Sequence, residues 1–369
     1  MPCAAPDYKL SLTPRKTTNY TIHAMHPTTQ REVAVVVLNW NGHSLLEAFL
    51  PSWVQHTPEG VDLIIVDNGS TDDSIAFVRK HYPEVHLLCF SENYGFAAGY
   101  NKAIAELNYK TVILLNSDVE LTAGWLDEPL RLLASDPTIA AVQPTIRAQR
   151  SPKDFEYAGA AGGYIDTLGY PFCRGRLFGS IEEDNGQYAT PVDLFWASGA
   201  CLIIRRDVYL EVGGLDTVFF AHQEEIDLCW RINARGHRIV FAPTSVVYHV
   251  GGASLSAESP RKVFLNFRNN LLMIYKNLPA PSLSRVLLCR FFLDLLAALI
   301  YLVRLKPRHC YAVLEGWRCF MIKRLRYEEV RRENLAKTVR PLAPHLRKPY
   351  SLLVQYYLRG RQRYSDLPQ

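Results

Sequence analysis

The fold is decided by four stretches: Val33 to Leu38 running into Asn39-Trp40-Asn41-Gly42, Val61 to Val66 into Asp67-Asn68-Gly69-Ser70-Thr71-Asp72, Val85 to Phe90 into Ser91-Glu92-Asn93-Tyr94-Gly95-Phe96, and Thr111 to Leu115 into Asn116-Ser117-Asp118. Each is a run of β-forming apolar residues that stops at a short polar motif. Between them lie helical patterns at Ser44 to about His56, Asp72 to His81 and Ala97 to Leu107. The first opens on Ser44-Leu45-Leu46-Glu47, a capping-box pattern. Strand and helix in alternation predict parallel strands joined by right-handed crossovers. In an open α/β sheet, ligands bind in the crevice at the carboxyl ends of the strands. The four polar motifs therefore converge on one place, offering carboxylates, amides and glycine backbone suited to a ribose, a base and a metal-bound diphosphate.

Outward from this core the pattern loosens. The Pro- and Gly-rich stretch from Pro144 to Pro191 reads as loops over the site. Phe195-Trp196-Ala197-Ser198-Gly199-Ala200 then leads into a strand at Cys201 to Ile204, Phe219 to Arg231 contains a helix ending near Gly236, and Val246 to His249 reads as a last short strand. Arg261 to Asn277 reads as a helix packed on the body. Residues 1–30 are polar, without the apolar run of a signal peptide, and are expected to form a loosely ordered arm.

The 369 residues carry a net charge of +5, unevenly placed: 18 Lys/Arg against 6 Asp/Glu from Pro281 to Gln369, and 23 against 30 elsewhere. A basic C-terminal region on an acidic body points to an anionic surface such as a membrane. Val286 to Val303 is apolar apart from Arg290 and Asp294, which are four apart and can pair on one helix face. Flanking Arg285, Arg304, Lys306 and Arg308 favour a helix lying among lipid headgroups; a buried helix of a C-terminal bundle is the competing reading. The eight cysteines form no C-x-x-C pair, which fits a reducing compartment.

Several residues carry possible chemistry. Asp118, at a strand end behind Asn116 and small Ser117, can hold a hard divalent ion, since Mg²⁺ is bound by one or two carboxylates plus substrate phosphates. Asp67 can accept hydrogen bonds from a base or ribose, Gly69 allows the turn, and Asn93 and Gly95 form either a nucleotide-contacting loop or a plain turn. In Gln223-Glu224-Glu225-Ile226-Asp227, Asp227 can pair with Arg231, leaving one glutamate to act as a general base. His249, between an apolar strand and Gly251-Gly252-Ala253-Ser254, can join Asp118 around a metal or hold a phosphate oxygen.

Taken in order, these motifs, together with Gly199 to Arg206, Gly213-Gly214-Leu215-Asp216 and His249 to Ser254, resemble family 2 glycosyltransferases, in particular the bacterial rhamnosyltransferase-like branch. The resemblance covers roughly residues 31–275. It implies a GT-A fold, a mostly parallel Rossmann-like sheet flanked by helices, here spanning 31–277 with a basic helical extension over 278–369. It also implies a nucleotide-diphosphate sugar donor, a divalent metal (Mg²⁺ or Mn²⁺), inversion at the anomeric carbon, and a glycan or lipid-linked acceptor at the cytoplasmic face of the plasma membrane, without nucleic acid as a partner. Carried over residue by residue, Asn39, Asp67, Asn93, Gly95, Asn116 and Asp118 would face the donor. Asp118 and His249 would bind metal, with Asn116 in place of the first aspartate of a D-x-D motif. Trp196, Gly199 and Asp227 would support the acceptor side or the structure. The family's base is usually the aspartate of a Glu-Asp pair; here Glu225 stands in that position, with Glu224 the alternative. A Rossmann dehydrogenase would need G-x-G-x-x-G after the first strand, which is absent. A nucleotidyltransferase-like enzyme is the other class that joins nucleotide and metal.

Overall fold

The computed structural model describes residues 31–156, 159–251 and 259–368. The predicted N-terminal arm, and Gly252 to Ser254 of the glycine motif, lie outside the described residues. Strands β1 (Val33–Asn39), β2 (Val61–Asp67), β3 (His86–Cys89) and β4 (Thr111–Leu115) are parallel, with β1 central between β2 and β4 and β3 outside β2. They are linked by helices α1 (His43–His56), α2 (Ser74–His81) and α3 (Phe96–Glu106). Alternation along β1 explains the two-sided core. Ala34 and Val36 pack with Tyr100 and Ile104 of α3, whereas Val35 and Val37 pack with Leu46 and Trp53 of α1.

Beyond β4 the sheet changes direction. The remaining strands are β5 (Val119–Leu121), β6 (Ile139–Ala148), β7 (Ser151–Phe155), β12 (Cys201–Arg205) and β13 (Arg238–His249), preceded at β6 by helix α4 (Asp127–Ser135). The nine-stranded sheet runs β3-β2-β1-β4-β12-β6-β13-β5, with β7 on β6. β12 is antiparallel to both β4 and β6, while β13 returns parallel to β6; the parallel crossovers expected of the first four strands are all made. The stretch expected to be loops contains a second, four-stranded antiparallel sheet, β8 (Gly163–Ile165), β9 (Pro171–Cys173), β10 (Arg176–Leu177) and β11 (Ser180–Ile181). Its strands are two or three residues long, too short to show period-two alternation in sequence. The expected strand at Val246–His249 is the end of the twelve-residue β13. Its register slips between Ala242 and Val246, and Pro243 and Thr244 break the pattern there. The capping box at Ser44 is not made: α1 begins a residue earlier, on Gly42, without a side-chain cap.

The remaining helices are α5 (Arg206–Glu211), α6 (Glu224–Ala234), α7 (Pro260–Asn277), α8 (Ala280–Val303), α9 (Pro307–Lys323) and α10 (Glu328–Ala336). Helix α8 is built inside out. Its buried residues are Val286, Arg290, Asp294 and Ala298, one stripe at four-residue spacing. Its solvent face carries Leu288, Phe291, Phe292, Leu295, Leu296, Leu299 and Val303. The Arg290–Asp294 pair forms as the spacing predicts, at 3.3 Å. Tyr170 and Trp317 donate to Asp294, and Arg290 donates to Asn270. Among the described residues α8 is the one helix long and apolar enough to cross a membrane, by length and composition alone. After α10 the chain returns to the small sheet, where Lys348 N–H donates to the Ile165 carbonyl.

Candidate active site

The carboxyl ends of β1, β2 and β3 are sewn together by side-chain amides. Asn39 Nδ2 donates to Asp67 Oδ1 at 3.0 Å and Ser70 Oγ at 3.2 Å, and Asp67 Oδ2 accepts the Ser70 N–H at 2.9 Å. Asp67 is 1% exposed. Its carboxylate, expected to meet the nucleoside directly, is therefore engaged in ordering the loop. Asn68, which sequence reasoning passed over, does the same one strand along. It donates to Asn93 Oδ1 and the Gly95 carbonyl and accepts the Tyr94 N–H. Asn93 in turn accepts the Gly95 N–H at 2.7 Å. Gly69, at φ +73°, lets the two loops touch: a Cβ there would lie 2.5 Å from the Glu92 carbonyl carbon.

Asp118 meets His249 across 131 residues because β13 pairs antiparallel with β5, setting His249 opposite Val119. His249 Nε2 is 3.1 Å from Asp118 Oδ1, and Nδ1 is 3.3 Å from Glu156 Oε2; all three groups are buried. Burial works against a charged imidazole, but the two carboxylates outweigh it and push His249 up to about 9. Sequence gave no hint of Glu156, which stands in an irregular stretch just after β7.

Among the described residues no group of three or more His, Cys, Asp or Glu side chains is arranged to hold a metal; Asp118 and His249 supply at most two protein ligands, and His249 would have to give up its proton to serve. Two ligands about 2.1 Å from one ion on adjacent octahedral corners stand roughly 3 Å apart, which matches the Asp118–His249 separation. A carboxylate on the far nitrogen of a ligating histidine is the usual means of fixing its tautomer, and Glu156 occupies that place. Asn116, half-buried, is held to the rim of the same crevice by its N–H to the Ala200 carbonyl.

On the other wall, α6 starts with the acidic pair. Phe220, His222 and Gln223 all have positive φ, so the chain enters the helix through a contorted loop. Asn269 of α7 holds that loop by donating to the carbonyls of Phe219, Ala221 and His222 at 2.8–2.9 Å. Glu224 is buried, whereas Glu225 stays partly open, with its Cβ 3.7 Å from where a side chain on Gly199 would start. Gly199 adjoins Ala200, which is bonded to Asn116, so Glu225 faces the same crevice as the end of β4. Glu224 Oε2 and Glu225 Oε2 have no hydrogen-bond partner among the described residues. Burial pushes the Glu225 carboxyl up to about 7; burial and the neighbouring Glu225 charge push Glu224 well up too. The two share protons as a pair.

Asp227 and Trp196 are structural. Asp227 is fully buried and bound by Arg231 and Lys276 at 2.9 Å each and by Asn277 at 2.8 Å. Burial opposes its charge, but Lys276 and Arg231 hold it below the usual carboxylate value. Trp196 packs beneath the small sheet and donates Nε1–H to the Tyr164 carbonyl.

Comparison with known proteins identifies the family and the fold. The profile of glycosyl transferase family 2 matches residues 34–213. An N-acetylglucosaminyl-diphospho-decaprenol L-rhamnosyltransferase of Mycobacterium tuberculosis is 30% identical over 233 residues, covering 58% of this chain and 75% of that one. A low-salt glycan biosynthesis hexosyltransferase of Haloferax volcanii is 29% identical, covering 57% and 66%. Among solved structures, GalNAc-T7 with UDP, GalNAc and Mn²⁺ superposes with a TM-score of 0.51 at 16% identity, over 66% of this chain and 48% of that one, which speaks for a shared fold. A nucleotidyltransferase is thereby set aside, and the chain belongs to glycosyl transferase family 2: it is a glycosyltransferase of GT-A fold, akin to the bacterial rhamnosyltransferases.

Proposed function

We propose that the enzyme moves a sugar, with inversion, from a nucleoside-diphosphate donor to a hydroxyl of a lipid-linked or growing cell-surface glycan, with Glu225 as base. The donor of choice is dTDP-rhamnose, or failing that a UDP-sugar, by likeness to the mycobacterial enzyme's name. The carrying observation is the Glu225 carboxyl, raised by burial to about 7, with Oε2 lacking a hydrogen-bond partner among the described residues and its side chain beside Gly199 near the end of β4. A base of that pKa accepts a proton at neutral pH and still releases it. Glu225 takes the acceptor hydroxyl proton as that oxygen attacks the anomeric carbon from the face opposite the leaving group. Buried Glu224, pushed up by burial and by the charge on Glu225, is the stronger proton holder of the pair and leaves Glu225 as the base. Asn39, Asp67, Asn68 and Asn93 hold the strand-end loops against the nucleoside, largely through backbone shape. A divalent ion, Mg²⁺ or Mn²⁺, held by Asp118 and His249, would supply positive charge for the departing diphosphate.

Donor hydrolysis followed by mass spectrometry over a panel of nucleotide sugars, with and without Mn²⁺, is the test. Metal-dependent turnover of one donor, lost in Glu225→Gln, is expected; undiminished turnover by that variant removes Glu225 from the role. A thermal-shift response to NAD⁺ but not to dTDP or UDP would undo the donor class.

The same reading places the enzyme against the inner face of the plasma membrane. Its support is the apolar outer face of α8, continued by Tyr311, Leu314, Met321 and Ile322 on α9, with Arg304, Lys306 and Arg308 at the hairpin between them. A patch of that kind marks a membrane or protein contact, and basic residues beside it favour anionic lipid.

A further inference from the structure

Away from the transfer crevice, a cavity of about 540 Å³ opens between the small sheet and the returning C-terminal segment. Tyr164, Arg174, Tyr188, Asp193, Lys348 and Tyr364 line it, and none belongs to the crevice. Arg238, at the start of β13, also lines it, so it sits at the opposite end of that strand from His249.

Two buried cations give the cavity its character. Arg174 is 5% exposed and lies between the Phe241 ring, at 4.5 Å, and the Tyr188 ring, at 5.0 Å. Its Nε donates to the Ala161 carbonyl, and its Nη2 has no hydrogen-bond partner among the described residues. Lys348, 7% exposed, stands over the rings of Tyr164 and Tyr364, with no side-chain hydrogen bond or ion pair among the described residues. The carboxylate in the wall does not serve them: Asp193 is held by Arg238 at 2.7 Å. Burial without a carboxylate partner lowers the proton affinity of both Arg174 and Lys348.

We propose that this cavity binds a small ligand bearing an oxyanion, a phosphate or carboxylate on a sugar-sized body. The Arg174 guanidinium, over the Phe241 and Tyr188 rings, can pair with an oxyanion through its nitrogen edge. Lys348 adds a second, point-like charge from the other wall. The rings of Tyr164 and Tyr364, stacked 5.4 Å apart, give the wall beside Lys348 an aromatic rather than a charged lining. The volume falls in the range of small-molecule sites. A smaller hollow sharing Asp193, Arg238 and His345 runs on to Arg340, which leaves room for a longer anionic chain. Because the cavity and the crevice have no residue in common, occupancy of one does not displace the donor from the other.

Isothermal titration of the full chain with glucose 1-phosphate, glucuronate and glucose tests this, on wild type, Asp118→Asn, Lys348→Gln and Arg174→Lys, each with a melting curve. Saturable binding is expected for at least one anionic sugar and not for glucose. It should be unchanged in Asp118→Asn and weakened at least tenfold in Lys348→Gln. Whichever of the two sugars binds identifies the oxyanion. Arg174→Lys keeps the charge and loses the fork, and serves if Lys348→Gln melts early. Glucose binding as well as the anions, loss of binding in Asp118→Asn, or binding indifferent to both cavity variants overturns the proposal.

Discussion

The two walls of the crevice are built on opposite principles. On the donor wall most polar groups are matched within the protein: Asn39 Nδ2 with Asp67 and Ser70, Asn68 with Asn93, Tyr94 and Gly95, with Asn39 Oδ1 the exception among the described residues. On the acceptor wall one oxygen of Glu224, one of Glu225 and Nε2 of His222 have no hydrogen-bond partner among the described residues, and the loop before them runs through positive φ. The first wall is rigid before anything binds. The second stores unfavourable electrostatics that only a proton or a substrate relieves, which is how a carboxyl comes to have the proton affinity of a working base. The contrast implies that substitutions on the donor wall trade mainly in stability and binding, and those on the acceptor wall in rate.

The largest effect follows from Glu225→Gln. Transfer should fall by on the order of 10³-fold, within the range for losing a general base. Stability should move the other way. The folded protein holds the Glu225 proton more tightly than the unfolded chain, about 7 against an ordinary 4.5. The group's favourable contribution is thus complete below 4.5 and lost as pH rises through 7. At pH 8 the glutamine variant should be more stable by on the order of 2 kcal/mol, and the gain should vanish at pH 4. Melting curves at the two pH values check this, and a lowered melting temperature at pH 8 would break the comparison. In the wild type the same proton gives kcat/KM an acid limb that falls below pH 7.

Next in size is the strut that holds the acceptor wall in place. Asp227→Ala leaves Arg231 buried without a carboxylate while Lys276 keeps Asp216 at 2.5 Å, and the loss should be about 3 kcal/mol, at the low end for breaking a buried pair, read by urea unfolding. Because Asp227 touches no part of the crevice, whatever fraction stays folded should show near wild-type KM for the donor.

How far these features could be read in advance depends on range. The four strand ends were legible because each apolar run and its polar stop are adjacent in sequence, and the Asp227–Arg231 and Arg290–Asp294 pairs because helical spacing of four is local. Asp118 with His249 was found through motif order. Glu156 was not, since only the pairing of β6, β7 and β13 brings an isolated glutamate to that histidine. The small sheet hid because its strands are too short to carry a period. Asp67, expected to meet the nucleoside, also bonds Asn39 and the Ser70 N–H. A strand-end carboxylate looks the same in sequence whether it binds a ligand or organises the loop that does. The inside-out face of α8 was half legible: composition showed the apolar run, but only packing shows that its two charges point inward.

The smallest effect sharpens the donor side. Asn68→Ala removes three hydrogen bonds between the β2 and β3 loops, leaving Asn93 Oδ1 with the Gly95 N–H and leaving the Tyr94 N–H with no acceptor from Asn68. Unmaking a buried hydrogen-bond set of this kind costs about 1–3 kcal/mol. If the wall works by standing rigid, the loosened loops raise the donor KM several-fold while kcat changes little, because the variant must re-form the loop on binding. A fall in kcat with unchanged KM would instead mean that these amides act on the transition state, and the two walls would then differ in stability without differing in kind.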